Sequence, residues 1–152
     1  MTTDEYYMRL ALKQAEIAAS LGEVPVGAVL VRQGKILSVG YNRREIDKNS
    51  LAHAEILAID AGCKAAGGWR LFDSVLYVTL EPCPMCAGAI LNSRIDRVVY
   101  AASDPKAGSL SSVMKMYSLP FNYRPEIEGG VLEEEASQLL KNFFRSLREK
   151  KA

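Results

Sequence analysis

Apolar positions recur at spacings of three and four between residues 4 and 21, where Tyr7, Leu10, Ala11, Ala15, Ala18 and Leu21 share a face. With Thr3 and Asp4 ahead as cap candidates and Gly22 behind, the spacing predicts an amphipathic helix. The pattern then changes: VPVGAVLVR (24 to 32) and KILSVGY (35 to 41) are β-branched apolar runs parted by Gln33-Gly34, which predicts two antiparallel strands and a tight turn. The polar, aperiodic NRREIDKNSL (42 to 51) leads to a helix from about His53 to Ala66, closed by Gly67-Gly68. SVLYVTL (74 to 80) reads as a strand, TLEPCPMC as a turn into a short helix ending near Leu91, and RVVYAA (97 to 102) as another strand. Beyond Ala102, SDPKAGSLSS is loop-like, VMKMY is a short helical piece, two prolines break LPFNYRP, and EIEGGVL (126 to 132) is a last short strand. Residues 133 to 149 predict a closing helix with Ala136, Leu139, Leu140, Phe143, Phe144 and Leu147 on its periodic face.

Strands alternating with helices predict an α/β fold, a three-layer α/β/α sandwich around a mixed sheet of about five strands that opens with a hairpin. Repeats, low-complexity tracts and linkers are absent from the sequence, so residues 1 to 152 read as a single domain with a basic C-terminal helix at about 133 to 149. A domain of this length buries roughly 70% of the surface that its unfolded chain exposes. Apolar residues at 49% and charged residues at 24% are ordinary for a soluble globular chain and exclude the disordered and membrane classes. The acidic start, MTTDEYYMRL, lacks the form of a secretory signal, and a cytoplasmic location with no membrane partner is expected.

Net charge is +1, but Lys141, Arg145, Arg148, Lys150 and Lys151 stand against Glu149 alone, a local +4 that leaves about −3 elsewhere. The plain reading of this run is a solvated helix end whose cations face the C-terminal dipole.

Three cysteines do not make a disulfide framework, and a C-x-x-C at Cys83 and Cys86 points to metal or redox chemistry in a reducing compartment. Pro84 suits the first turn of a helix, and cysteines three apart there project from one face, so one ion can touch both sulfurs. The single histidine, His53, completes a set of one imidazole and two thiolates that selects zinc over magnesium or calcium. Cys63 is excluded from the same ion: ten residues along one helix is about 15 Å. Three protein ligands leave an open position, the mark of a catalytic zinc, one per subunit. Glu55, at i+2 from His53, does not share its helical face and is expected to act as the proton shuttle rather than as a ligand.

Alone, a lone histidine is usually structural and a lone C-x-x-C is ambiguous; together, H-A-E … P-C-x-x-C is the signature of zinc nucleobase deaminases. The sequence resembles the bacterial tRNA-specific adenosine deaminases, of cytidine deaminase-like fold, nearly end to end. The similar segments are EVPVGAVLV (23 to 31), Y-N-R (41 to 43), AHAEI (52 to 56), LYVTLEPCPMCAGAI (76 to 90), SRIDRVVY (93 to 100), DPKAG (104 to 108) and FFRSLR (143 to 148).

The resemblance implies hydrolytic conversion of the wobble adenosine of a tRNA anticodon to inosine, a zinc-activated water attacking C6. It also implies a homodimer that binds the anticodon stem-loop through both subunits. Carried over by residue, it implies that Asn42 bonds the flipped base or its ribose, and that Pro25, Val26, Ala54 and Leu80 line the pocket. Asp104, Lys106 and Asn122 would contact neighbouring nucleotides, and Phe144 and Arg145 the outer RNA surface. One of Phe143 and Phe144 is expected in the core and the other open to RNA. AGAIL, after Cys86, is a candidate dimer interface or simple core. Two departures fall in the expected RNA-contacting region: Tyr123 follows Asn122 where family members often have His, and the loop after Asp104 is slightly shortened. The competing readings are a guanine or other free-nucleobase deaminase on the same zinc core, and a noncatalytic RNA-binding module with structural zinc.

Overall fold

The computed structural model describes residues 1–151. Its elements are α1 (Thr3–Ser20), β1 (Gly27–Arg32), β2 (Lys35–Tyr41), α2 (Ala54–Ala66), β3 (Ser74–Leu80), α3 (Pro84–Asn92), β4 (Arg97–Ala102), β5 (Glu126–Glu128) and α4 (Glu133–Lys151), with a 3-10 turn at Met116–Ser118. The strand order is β2-β1-β3-β4-β5. The hairpin pairs antiparallel, β1 meets β3 antiparallel, and β3, β4 and β5 run parallel.

Alternation along each strand sorts the core into two layers. Ala28, Leu30, Leu76, Val78, Val98 and Tyr100 pack with α2 and α3 on one face. Val29, Val31, Tyr77, Val99 and Ala101 pack with α1 and α4 on the other. The result is the expected three-layer α/β/α sandwich. Two close approaches tighten it: a Cβ on Gly27 would meet the backbone of Ala11 and Ala15 in α1, and one on Gly40 would meet that of Ala54 and Ala58 in α2.

Differences from the sequence expectation are local. Residues 24–26 precede β1 rather than joining it, because Val26 N bonds Val24 O within a turn and Asn42 N bonds Val26 O. The helical piece expected at 113 to 117 is only the single turn Met116–Ser118, and the last strand ends at Glu128 before Gly129-Gly130. AGAIL is largely core: Ala87, Ile90 and Leu91 are buried. Among the described residues no helix is long and apolar enough to cross a membrane.

The antiparallel hairpin and the parallel pair together bring four chain ends to one edge. The start of β1 faces the end of β2 at Gly27 and Tyr41, Ala28 pairs with Val78 near the end of β3, and Leu80 pairs with Ala102 at the end of β4. Every loop that leaves this edge borders the same cavity.

Candidate metal and active site

The cavity, of about 220 Å³, is lined by Val24, Val26, Asn42, Arg44, His53, Ala54, Glu55, Leu80, Glu81, Cys83, Asp104 and Ala107. Two helix starts form its floor. His53 is the N-cap of α2 and Cys83 the N-cap of α3, both with extended backbone, and Pro84 takes the first position of α3, where a missing N–H costs nothing. Neither cap uses its side chain to bond its own helix, so the imidazole and the thiol are free to face each other.

His53 Nδ1 lies 3.7 Å from Cys83 Sγ and 3.5 Å from Cys86 Sγ. The three ligand atoms all fall within 4.8 Å of one another, the one such group among the described residues. Tetrahedral zinc, with sulfur at about 2.3 Å and nitrogen at about 2.0–2.1 Å, sets its S···N pairs about 3.5 Å apart. The donor set therefore fits a soft, tetrahedral ion in both chemistry and spacing. The cysteines act as a coupled pair: a hydrogen bond from Cys86 lowers the Cys83 thiol to about 4, and the same bond, with burial, raises Cys86. His53 is raised, chiefly by its hydrogen bond with Cys83. A cation bound there would take the place of that proton.

Glu55 belongs to the first turn of α2 and is only 4% exposed. Burial pushes its carboxyl up to about 7. A carboxylate in this range, at the same cavity as an open metal tripod, is suited to taking and returning protons near neutral pH.

A family profile described as MafB19-like deaminase matches residues 2–148. The tRNA-specific adenosine deaminase of Bacillus subtilis (strain 168) is 53% identical over 152 residues, 99% of this chain and 94% of that protein. That of Haemophilus influenzae is 49% identical over 97% of this chain and 87% of its own. The chain belongs to the tRNA-specific adenosine deaminase family. A solved structure from work on A-to-I editing by tRNA:A34 deaminases at the wobble position of transfer RNA is 43% identical, with a TM-score of 0.86 over 89% of this chain and 99% of that one. A guanine deaminase from Nitrosomonas europaea, 23% identical with a TM-score of 0.77 over 94% of this chain and 85% of its own, shares the fold alone.

Around the deaminase cavity the sequence-predicted residues fall into three groups. Val26, Asn42, Ala54, Leu80 and Asp104 line it with His53, Cys83 and Glu55; Cys86 is fully buried, and Pro25, expected on the pocket wall, is buried and does not line it. Asn42 Nδ2 donates to Val24 O at 3.2 Å and its Oδ1 accepts from Arg44 N at 3.1 Å. One amide hydrogen and one lone pair of Asn42 thus stay available to a ligand. Lys106, Phe144 and Arg145 instead share a second hollow with Lys141 and Arg148, reached along the loop that carries Asp104 and Ala107. Phe143 is the more buried of the two phenylalanines but only half-buried, lining a further surface hollow, so neither is core as expected; Phe144 is 41% exposed.

Asn122 is at the far edge. Its neighbour Tyr123 donates to Arg94 O at 3.1 Å, and β5 begins beside Arg97, at the opposite end of β4 from the cavity. The structure does not bring Asn122 to the pocket of its own chain.

Sequence reasoning missed Val24, Arg44, Ala107 and two buried acids, Glu23 and Glu81, 1% and 2% exposed. Glu23 accepts from the amides of Glu45 and Ile46 at 3.1 and 2.7 Å and so fixes the loop after β2. The available signal was the placement of each acid beside a strand: E-V-P-V ahead of β1 and L-E-P-C after β3.

Proposed function

We propose that this chain deaminates adenosine to inosine at the wobble position of tRNA anticodons, consuming water and releasing ammonia. The observation that carries the reading is the buried Glu55 beside the His53, Cys83 and Cys86 tripod in one cavity, within a chain 53% identical to a tRNA-specific adenosine deaminase over nearly its whole length.

His53, Cys83 and Cys86 would hold one zinc ion per subunit. Bound there, zinc would supply a Lewis acid that lowers the pKa of water. Glu55 takes the proton of the attacking water and returns protons to the ring and to the departing amino group. Val26, Ala54 and Leu80 give the base apolar walls, and the remaining amide hydrogen and lone pair of Asn42 bond the flipped nucleotide. An anticodon loop is already single-stranded, so turning one base into the cavity costs less than in a duplex.

Asp104 and Lys106 meet the flanking nucleotides, while Phe144 and Arg145 supply a stacking face and a phosphate contact on the outer surface. The working unit is a homodimer. In this arrangement Asn122, at the far edge of its own chain, would meet an anticodon loop seated in the partner's pocket. Residues 1 to 152 act as a single deaminase domain in the cytoplasm, a reading in keeping with three free cysteines.

The test is ammonia release from an anticodon stem-loop with adenine at the wobble position, compared with free adenosine and free guanine. Turnover of the stem-loop is expected; turnover of guanine alone overturns the reading in favour of a free-base deaminase.

A further inference from the structure

Glu81 follows β3 directly and precedes the Pro82-Cys83 step into the metal tripod. It is a carboxylate only 2% exposed, and among the described residues no lysine or arginine forms an ion pair with it. Its partners are instead five neutral donors from one segment. Oε2 accepts from the backbone amides of Leu110, Ser111 and Ser112 at 3.1, 2.8 and 3.0 Å. Oε1 accepts from Asp104 N at 3.1 Å and from the Ser112 hydroxyl.

The segment is closed from within as well. Asp104 Oδ1 accepts from the amides of Lys106 and Ala107 at 3.0 and 3.3 Å, and Gly108 N donates to Asp104 O at 2.9 Å. Gly108 is required by the same carboxylate, since a Cβ there would overlap the Glu81 carboxyl and the Asp104 carbonyl.

We propose that Glu81 is a positioning residue for substrate specificity: it holds residues 104–112 as a preset wall, so that Asp104 and Ala107 face the pocket while Lys106 faces the outer groove. The role rests on the proposed reading of the pocket as an RNA adenosine site. It acts on binding rather than on the chemical step, because the segment it orders carries neither metal ligands nor Glu55. Holding a polar loop in place before RNA arrives removes an ordering cost from association.

Glu81→Gln isolates the function. With its amide oxygen at the Oε2 position, the variant keeps the three amides of 110–112, and a reoriented Ser112 hydroxyl accepts from the new NH2. Asp104 N–H alone is then left facing a donor. Gly108→Ala crowds the same carboxylate from the loop side. In zinc-loaded full-length protein, both variants are expected to raise KM for the stem-loop about tenfold and weaken its Kd equally, with kcat within about threefold and zinc content unchanged, the pattern of lost uniform binding. Hydrogen exchange at the Asp104 amide should accelerate in both.

Unchanged KM and Kd overturn the proposal. So does a fall in kcat alone or a loss of zinc, either of which would make Glu81 a support of the metal tripod. Failure of both variants to fold overturns it too, in favour of a general structural role. If the native protein makes no inosine, it is the pocket reading that fails. RNA affinity and exchange at Asp104 still decide the Glu81 role in that case.

Discussion

His53 and Glu55 stand two residues apart on either side of a helix boundary: His53 is the extended N-cap of α2, φ −79° and ψ 154°, and Glu55 lies inside its first turn. The boundary divides their work. The cap aims its imidazole at the cysteines, and the helical residue aims its carboxylate into the cavity without joining the ligand set. Glu55→Ala is therefore expected to lower inosine formation by about 10²–10⁴-fold, the range of general acid–base catalysis. It should keep about one zinc per chain, whereas Cys86→Ala should lose the metal with the activity. Elemental analysis alongside sequencing of wobble positions in treated tRNA checks both.

What the sequence made legible follows from range. Periodicity located the α-helices and the strands along the chain, though not their order in the sheet, and H-A-E with P-C-P-M-C was enough to bring the three candidate ligands together because both motifs lie at helix starts, where side chains are predictable. It placed His53 within a helix rather than at its cap, since spacing cannot distinguish the first helical residue from the one before it. The two buried acids escaped for another reason. Glu81 meets amides 23 to 31 residues away, a juxtaposition set by the packing of β3 against β4 and carried by no local pattern. Asn122 depended on topology in the same way: only the parallel pairing of β5 with β4 decides which end of the sheet it occupies.

Gly40 ties the sheet to the helix that carries Glu55. A Cβ at this position would sit 2.5 Å from Ala54 O and 2.9 Å from Ala58 N, backbone atoms that cannot turn aside as a side chain would. Gly40→Ala must therefore push α2 from β2 and, with it, the first turn that places Glu55. The expected cost is about 1–3 kcal/mol of stability, as for other overpacked sites. Activity should fall further than the folded fraction does. A urea titration paired with kcat on the same preparation separates the two effects; unchanged kcat in fully folded protein would show that α2 yields without moving Glu55.

A second long-range tie is polar. Asp4, in the first turn of α1, accepts from Arg97 at 2.9 and 2.7 Å and from the Tyr77 hydroxyl at 2.8 Å. The Arg97 hydrogen bonds hold its carboxyl below the ordinary 3.8, against the opposing effect of burial. A folded pKa below the unfolded one means stabilisation that is complete above the ordinary value and lost as pH falls through the folded one. Asp4→Asn should thus cost about 1 kcal/mol at neutral pH. The gap between variant and native protein should narrow as acid protonates Asp4. Urea midpoints at neutral pH and near pH 3 test this, and a gap that is constant or wider in acid would contradict it.

Arg145 tests whether the second hollow belongs to the substrate. It lies with Lys106, Lys141, Phe144 and Arg148 around one depression, and the loop bearing Lys106 leads from there to Asp104 at the deaminase cavity. A cation that neutralises one phosphate adds a fixed increment to the salt dependence of binding, because each contact releases condensed counterions. Arg145→Ala should weaken stem-loop affinity and reduce the slope of log Kd against log salt by about 0.7, the single-strand value per phosphate. Phe144→Ala should weaken affinity with the slope unchanged, since base stacking on an aromatic ring is worth about 1–3 kcal/mol without displacing ions. Fluorescence anisotropy with a labelled anticodon stem-loop over a salt series reads both quantities. Equal slopes for native protein and Arg145→Ala would return the basic helix end to a purely solvated role, since favourable contacts of its cations with the α4 dipole involve no RNA phosphate.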